Sequence, residues 1–199
     1  MKSLQKIFTV SLFVLLFCML AACSRNQNPI IVIETDYGNI EAELFLREAP
    51  ISAGNFLYHI DSGTFSTYQP VFYRVVRLDN QPDNDIKIEV VQGGLHRNNR
   101  RGVVTPIEHE TTQATGVKHT HGVLSMARNA PGTATVEFSI CVNDQPELDF
   151  GGKRNPDGQG FAAFGKVIKG MEIVIEIQQF PDERQYLLEP VPIRAIRRK

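Results

Sequence analysis

Arg74 and Gln92 are the side chains in this sequence whose type and setting most suggest chemistry. Each interrupts an apolar run, Phe72-Tyr73-Arg74-Val75-Val76 and Val90-Val91-Gln92-Gly93-Gly94. Arg is seldom buried without a partner, so Arg74 needs a reason to sit there. Two reasons are open: a structural ion pair or solvated strand face, or a fixed guanidinium donor of the kind that recognises developing charge.

The better-known reactive combinations are weak by comparison. His119 and His121 in Lys118-His119-Thr120-His121 would share one face of a strand, but they lack a third ligand nearby. His109, between Glu108 and Glu110, lies in an irregular stretch, and no metal or other cofactor is expected. Cys141 falls in an apolar strand and reads as an inert core thiol. Ser125 and Ser139 lack a Gly-x-Ser-x-Gly setting, and Gly151-Gly152-Lys153 fits neither a P-loop nor a dinucleotide fingerprint. A formal charge of −1 without a basic, aromatic-studded stripe argues against a nucleic-acid partner. The tail Arg194, Arg197, Arg198, Lys199 reads as a solvated terminus.

The elements that must position Arg74 and Gln92 follow from periodicity. The two apolar runs, joined by Leu78-Asp79-Asn80-Gln81-Pro82-Asp83-Asn84-Asp85, read as two strands and a loop. Upstream, a β-branched run at 30–35, turn residues at 36–39 and an alternating segment at 40–44 predict a hairpin with one buried face. Ala49, Ala53, Phe56, Leu57 and Ile60 recur at helical spacing, with Pro50 at the start and Gly63 past the end. This predicts a helix over 50–61. Downstream of Gly94 the chain is irregular to about residue 118. Strands are then predicted over 122–127, 136–142 and 161–168, a short helix over 169–179, and a last strand over 191–196. Pro192 places that strand at an edge or removes one of its ladder bonds. Many short strands and few helices imply a mainly β, mostly antiparallel fold, and closure into a barrel would remove exposed edges.

The N-terminus stands apart. Lys2 and Lys6 precede an apolar run over 7–20, and Leu20-Ala21-Ala22-Cys23 ends it, the pattern of a secretory signal over 1–22. Removing it takes two positive charges from a formal −1 and leaves −3. It also removes Cys18 and leaves Cys23 and Cys141. Residues 23–29 read as a polar linker, ahead of a single domain over 30–197.

Two resemblances sharpen this. Leu-Ala-Ala-Cys resembles the lipobox of bacterial lipoproteins, which implies that Cys23 is acylated, with palmitate among the chains, and so that Cys141 is the one unmodified thiol and no internal disulfide forms. More than one chain gives stable membrane attachment. By the same resemblance Ser24 points to the outer membrane of a bacterial cell envelope, with the domain facing the periplasm.

Secondly, Phe72-Tyr73-Arg74-Val75-Val76, Gln92-Gly93-Gly94, Gly122-Val123-Leu124-Ser125-Met126-Ala127, Glu137-Phe138-Ser139-Ile140, Phe164-Gly165-Lys166-Val167 and Gly170-Met171 occur in the order seen in cyclophilins. Over nearly all of 30–197 the chain resembles a bacterial cyclophilin-type peptidyl-prolyl cis/trans isomerase. The resemblance implies a closed eight-stranded antiparallel barrel capped by two helices, acting as a monomer on X-Pro segments of unfolded or exposed peptides. It implies Arg74 as the catalytic residue, Gln92 as the holder of the substrate backbone, Ala127 in the groove wall and Leu148 under the proline. Ser139 stands where the family has a second Phe, Phe161 where it has a pocket His. Glu89 and Val90 replace an aromatic and a Met, Glu147 replaces a rim aromatic, and the connection from Arg74 to Gln92 is longer than usual. These departures imply weaker binding of the proline ring, and Glu89, Ser139 and the insertion fit an alternative: a peptide-binding or chaperone module that has lost turnover. Arg74 and Gln92 fit catalysis.

Overall fold

The computed structural model describes residues 28–96 and 104–199. The signal segment, Cys23 and most of the linker lie outside the described residues. β1 (Ile30–Thr35) and β2 (Gly38–Leu44) form the expected hairpin, with Thr35 opposite Gly38 and with Ile40, Ala42 and Leu44 turned inward. α1 (Pro50–Asp61) follows, and Ala49 offers its N-terminus no side-chain cap. The cap arrives from far along the chain: Glu110 accepts hydrogen bonds from the Ile51 and Ser52 backbone N–H groups at 3.0 and 2.6 Å. A carboxylate there satisfies two orphan donors and lies at the favourable end of the helix dipole.

Two helical turns went unanticipated. α2 (Thr64–Tyr68) follows directly on α1 through Gly63, and α3 (Thr112–Thr115) lies inside the stretch read as irregular, its first turn capped by the Thr111 side chain. Both are too short to display a periodicity.

β3 (Val71–Val76), β4 (Val90–Gly94), β5 (Val123–Met126), β6 (Phe138–Cys141), β7 (Ala162–Lys169), α4 (Met171–Gln178), the two-residue β8 (Asp182–Glu183) and β9 (Tyr186–Arg198) complete the chain. The strands run β1-β2-β7-β5-β6-β4-β3-β9 around the sheet, and β9 pairs with β1 to close it. Eight antiparallel strands thus form a barrel, with β8 attached outside on β9. Phe56 of α1 sits in the core against Phe65, Phe138 and Phe164, with ring centroids 5.1–5.3 Å apart.

Of the two readings of Pro192, the missing ladder bond is the one observed. β9 is not an edge; it is 13 residues long and closes the barrel. Its first half pairs with β3 and its second with β1, and Pro192 sits opposite Val71 where the partner changes. The missing N–H falls at that corner, and Ile193 N–H resumes bonding to the Pro70 carbonyl at 2.9 Å.

Two local features on β3 and β4 position the side chains singled out above. A bulge between Phe72 and Arg74 lets Tyr73 and Arg74 both leave the core side while Phe72 and Val75 remain on it. Gly93 permits the flat approach of Phe72: a Cβ there would lie 2.7 Å from the Phe72 ring and 3.1 Å from the Val71 carbonyl. Gly93→Ala should therefore overpack the barrel and cost about 1–3 kcal/mol, read as a lower urea midpoint with an unchanged m-value.

Candidate active site

The barrel register lines up the site. Arg74 lies across from Gln92, Gln92 from Ser139, and Ser139 from Ser125, giving a polar rung over β3, β4, β6 and β5. One rung away, Val76 lies across from Val90 and Val90 from Cys141. These three join Ile88 and Leu148 in a small apolar cluster distinct from the barrel core, with Phe161 packed against it. A donor-rich row and an apolar row thus run side by side along the outer face of the barrel. Their more exposed members line an open groove of about 530 Å³, with Val76 and Cys141 buried beneath it.

All six groove residues expected from the sequence meet there: Arg74, Gln92, Ala127, Ser139, Leu148 and Phe161 line the one groove. Arg74 Nη1 donates to Gln92 Oε1 at 2.9 Å, while its Nε and Nη2 both donate to Gln185 Oε1, at 3.1 and 2.5 Å. None of these acceptors is a carboxylate. Burial lowers the Arg74 pKa from its ordinary value, with Tyr186 and Tyr73 acting in the opposite direction; a guanidinium stays charged under such a shift. A charged fork held by neutral oxygens is fixed in direction and not neutralised. Gln92 is itself oriented, since its Nε2 donates to the Tyr73 hydroxyl at 2.7 Å and that hydroxyl donates to Glu137 at 2.8 Å.

Gln185 was invisible in the sequence. It occupies the turn between β8 and β9 with φ 74°, and its placement depends on the insertion: its Nε2 donates to the Asn80 carbonyl at 3.2 Å and its N–H to Asp182 at 2.9 Å. The insertion also corrects the reading of the pocket. Glu89 does not line the groove; it turns away and accepts from Asn143 Nδ2 at 3.0 Å. Ile88, two residues before Val90, faces the groove in its place and is 6% exposed. Alternation along β4 extended backwards from Gln92 through Val90 reaches Ile88, so the period-2 signal was present in the sequence. Glu147 is likewise outside the lining; its carboxylate accepts from Lys153 N–H at 2.8 Å.

The remaining candidates resolve as structure. His119 is not on a strand face with His121. It is buried ahead of β5, with Nδ1 bonded to Asp149 and Nε2 to Ser125, both at 2.8 Å. His121 is exposed, and its Nδ1 accepts from the Asn143 N–H. Among the described residues no three of His, Cys, Asp and Glu gather as metal ligands. Cys141 is fully buried under the groove, and burial pushes its thiol far up, away from the thiolate.

Comparison with known proteins agrees with this geometry. Residues 30–198 match the family of cyclophilin type peptidyl-prolyl cis-trans isomerases. A peptidyl-prolyl cis-trans isomerase of Acinetobacter baylyi is 32% identical over 182 residues, covering 90% of this chain and 87% of that one. The crystal structure of a cyclophilin type isomerase of Cryptosporidium parvum superposes with a TM-score of 0.65 at 23% identity, covering 86% of this chain and 98% of that one. The same protein in the presence of the dipeptide Ala-Pro gives 0.63 at 24%, with 85% and 98% covered. With the barrel, the groove and a family match over nearly all the described residues, the chain belongs to the cyclophilin-type peptidyl-prolyl cis-trans isomerases, and its reaction is the interconversion of the bond before proline.

Proposed function

We propose that Arg74 drives this reaction on X-Pro bonds of extracytoplasmic proteins, in a monomeric enzyme tethered to the bacterial envelope through a lipidated Cys23. A trans peptide rotates over a barrier of about 18–20 kcal/mol because resonance stiffens the C–N bond, and X-Pro exchange takes tens to hundreds of seconds unaided. No bond is broken, so neither nucleophile nor metal is needed. In the twisted amide the proline nitrogen regains a lone pair, and a fixed guanidinium in a partly water-excluded groove can donate to it. Catalysis is then tighter binding of the twisted state than of either planar one.

The observation that carries this reading is the pairing of the two rungs. The apolar row of Val90, Ile88, Leu148 and Phe161 offers the proline ring a slot, and the polar row sets Arg74 and Gln92 beside it. Ala127 keeps the opposite wall low. Ser139 leaves room where a larger ring would narrow the slot, which fits modest affinity for proline and a tolerance for bulky neighbours. The test is a coupled prolyl-peptide assay on the chain from residue 24. Acceleration proportional to enzyme concentration is expected, and none at any concentration would overturn the assignment of this groove.

The envelope assignment rests on residues 1–23 of the sequence, and it has its own test. In bacterial cells given labelled palmitate, the wild-type chain should take up label and Cys23→Ser should take up none. An unlabelled wild-type chain would remove the anchor and, with it, the membrane location.

A further inference from the structure

The groove holds a second guanidinium for which isomerisation has no use. Arg154 comes from the loop between the Leu148 turn and β7, is half-buried, and lines the same groove as Arg74. Its Nη1 donates to Gln81 Oε1 at 3.0 Å and to the Ile86 carbonyl at 2.5 Å. Both acceptors are neutral and both belong to the insertion between β3 and β4. Gln81 is itself 1% exposed and locked by the Arg77 and Ile88 carbonyls, so the mount is rigid.

Among the described residues Arg154 has no carboxylate partner, in contrast to Arg77, Arg128, Arg194, Arg197 and Arg198, each of which has one. Arg128 also reaches the groove, but Asp157 accepts two hydrogen bonds from it and is held by them at a pKa of about 2. No Asp or Glu is among the described residues that line the groove. Burial, and then the nearby charge of Arg74, lower the Arg154 pKa, which is what two close like charges do. Among the described residues the groove thus holds two cations, Arg74 and Arg154, without a carboxylate hydrogen-bonded to either.

We propose that Arg154 is a specificity-determining residue that selects X-Pro segments carrying an acidic side chain next to the proline. This rests on the groove of the proposed function being where X-Pro segments bind. With Nη1 held by the insertion, Nε and Nη2 make no hydrogen bond among the described residues, and a carboxylate could take them as a pair. An acidic neighbour of the proline relieves the repulsion between Arg74 and Arg154; a basic one adds to it. Because both guanidinium groups are partly buried such differences persist, and they fade as salt screens them.

The experiment uses the full chain in detergent with peptides that differ only in the residue before or after proline, as Glu, Gln or Lys. At low salt kcat/KM for the Glu peptide should exceed that for Gln by about fivefold at one of the two positions, with Lys lowest. Arg154→Gln should bring the Glu-to-Gln ratio to about one, and Arg154→Lys, which keeps the charge without the fork, should retain part of it. A measurable but equal rate for Glu and Gln in wild type, or an unchanged ratio in Arg154→Gln, overturns the proposal. Dissociation constants for labelled peptides, measured by anisotropy, separate the two readings. Glu-selective binding without turnover would sink the isomerase assignment and keep this one, and binding blind to charge would sink this one.

Discussion

Arg74→Ala should lower kcat/KM for a prolyl peptide by about 10²–10³, the loss typical of one preorganised donor, or about 2.7–4 kcal/mol. The size follows from how Arg74 is held. Three hydrogen bonds to Gln92 and Gln185 fix the plane of the guanidinium before substrate arrives, so little reorganisation is needed when the amide twists. The loss should fall mainly on kcat, because the stabilised charge exists in the twisted state and not in the bound planar peptide. Arg74→Lys should recover little, since a point charge cannot reproduce three hydrogen bonds to two acceptors in one plane. Gln185→Ala removes the acceptor for Nε and Nη2 while leaving the charge in place. Its kcat should fall between wild type and Arg74→Ala, with KM nearly unchanged. Equal turnover by Arg74→Ala and wild type would transfer the chemistry to another group.

Much of this site could be read in the sequence because strand alternation is a strict rule. Val90 and Gln92, Ser139 and Cys141, and Arg74 and Val76 each differ by two, and each pair gives the polar row and the apolar row one member apiece. The same rule, carried two residues further, gives Ile88. The rule fails at Tyr73, where the bulge puts two successive residues on one side, and no composition signal marks a bulge lacking Gly. Other parts depend on tertiary contacts with no local trace. Glu110 caps a helix that begins 60 residues earlier in the chain. Gln185 and Arg154 are set by the insertion, whose Asn/Asp/Pro content reads only as loop. Glu89 holds the family's motif position but points away from the groove, because motif position does not fix side-chain direction beside an insertion. The hairpin and α1, which carry whole periods of pattern, were placed within a residue or two of their observed bounds.

The second large effect belongs to Asp149, whose substitution by Ala should destabilise the domain by about 2–4 kcal/mol. The carboxylate accepts from the His119 backbone N–H at 3.1 Å and from His119 Nδ1 at 2.8 Å, and Lys118 Nζ lies 3.5 Å away. On its other side the His119 ring is hydrogen-bonded through Nε2 to the Ser125 hydroxyl, and Ser125 is 2% exposed. Ser, His and Asp in series match a hydrolytic relay in order, but here the hydroxyl is packed into β5 and ends the polar rung. Ala at position 149 leaves two buried donors of His119 without an acceptor and frees the turn that carries Leu148 and Phe161, whose backbones are joined at 2.8 Å. At roughly 2–4 °C per kcal/mol for a domain of this size, a Tm lower by about 4–16 °C is expected, with Asp149→Asn milder because one acceptor oxygen remains. The pH dependence has a definite sign. Burial alone would raise the Asp149 pKa, but the His119 hydrogen bonds and the Lys118 charge outweigh it and leave it lowered. A lowered folded pKa gives stability that is fully present above the unfolded value of about 3.9 and is lost as pH falls through the folded one. The Tm gap between wild type and Asp149→Asn should therefore be constant near neutrality and close below about pH 4. A gap that persists at lower pH would mean that the ionised carboxylate is not what holds His119.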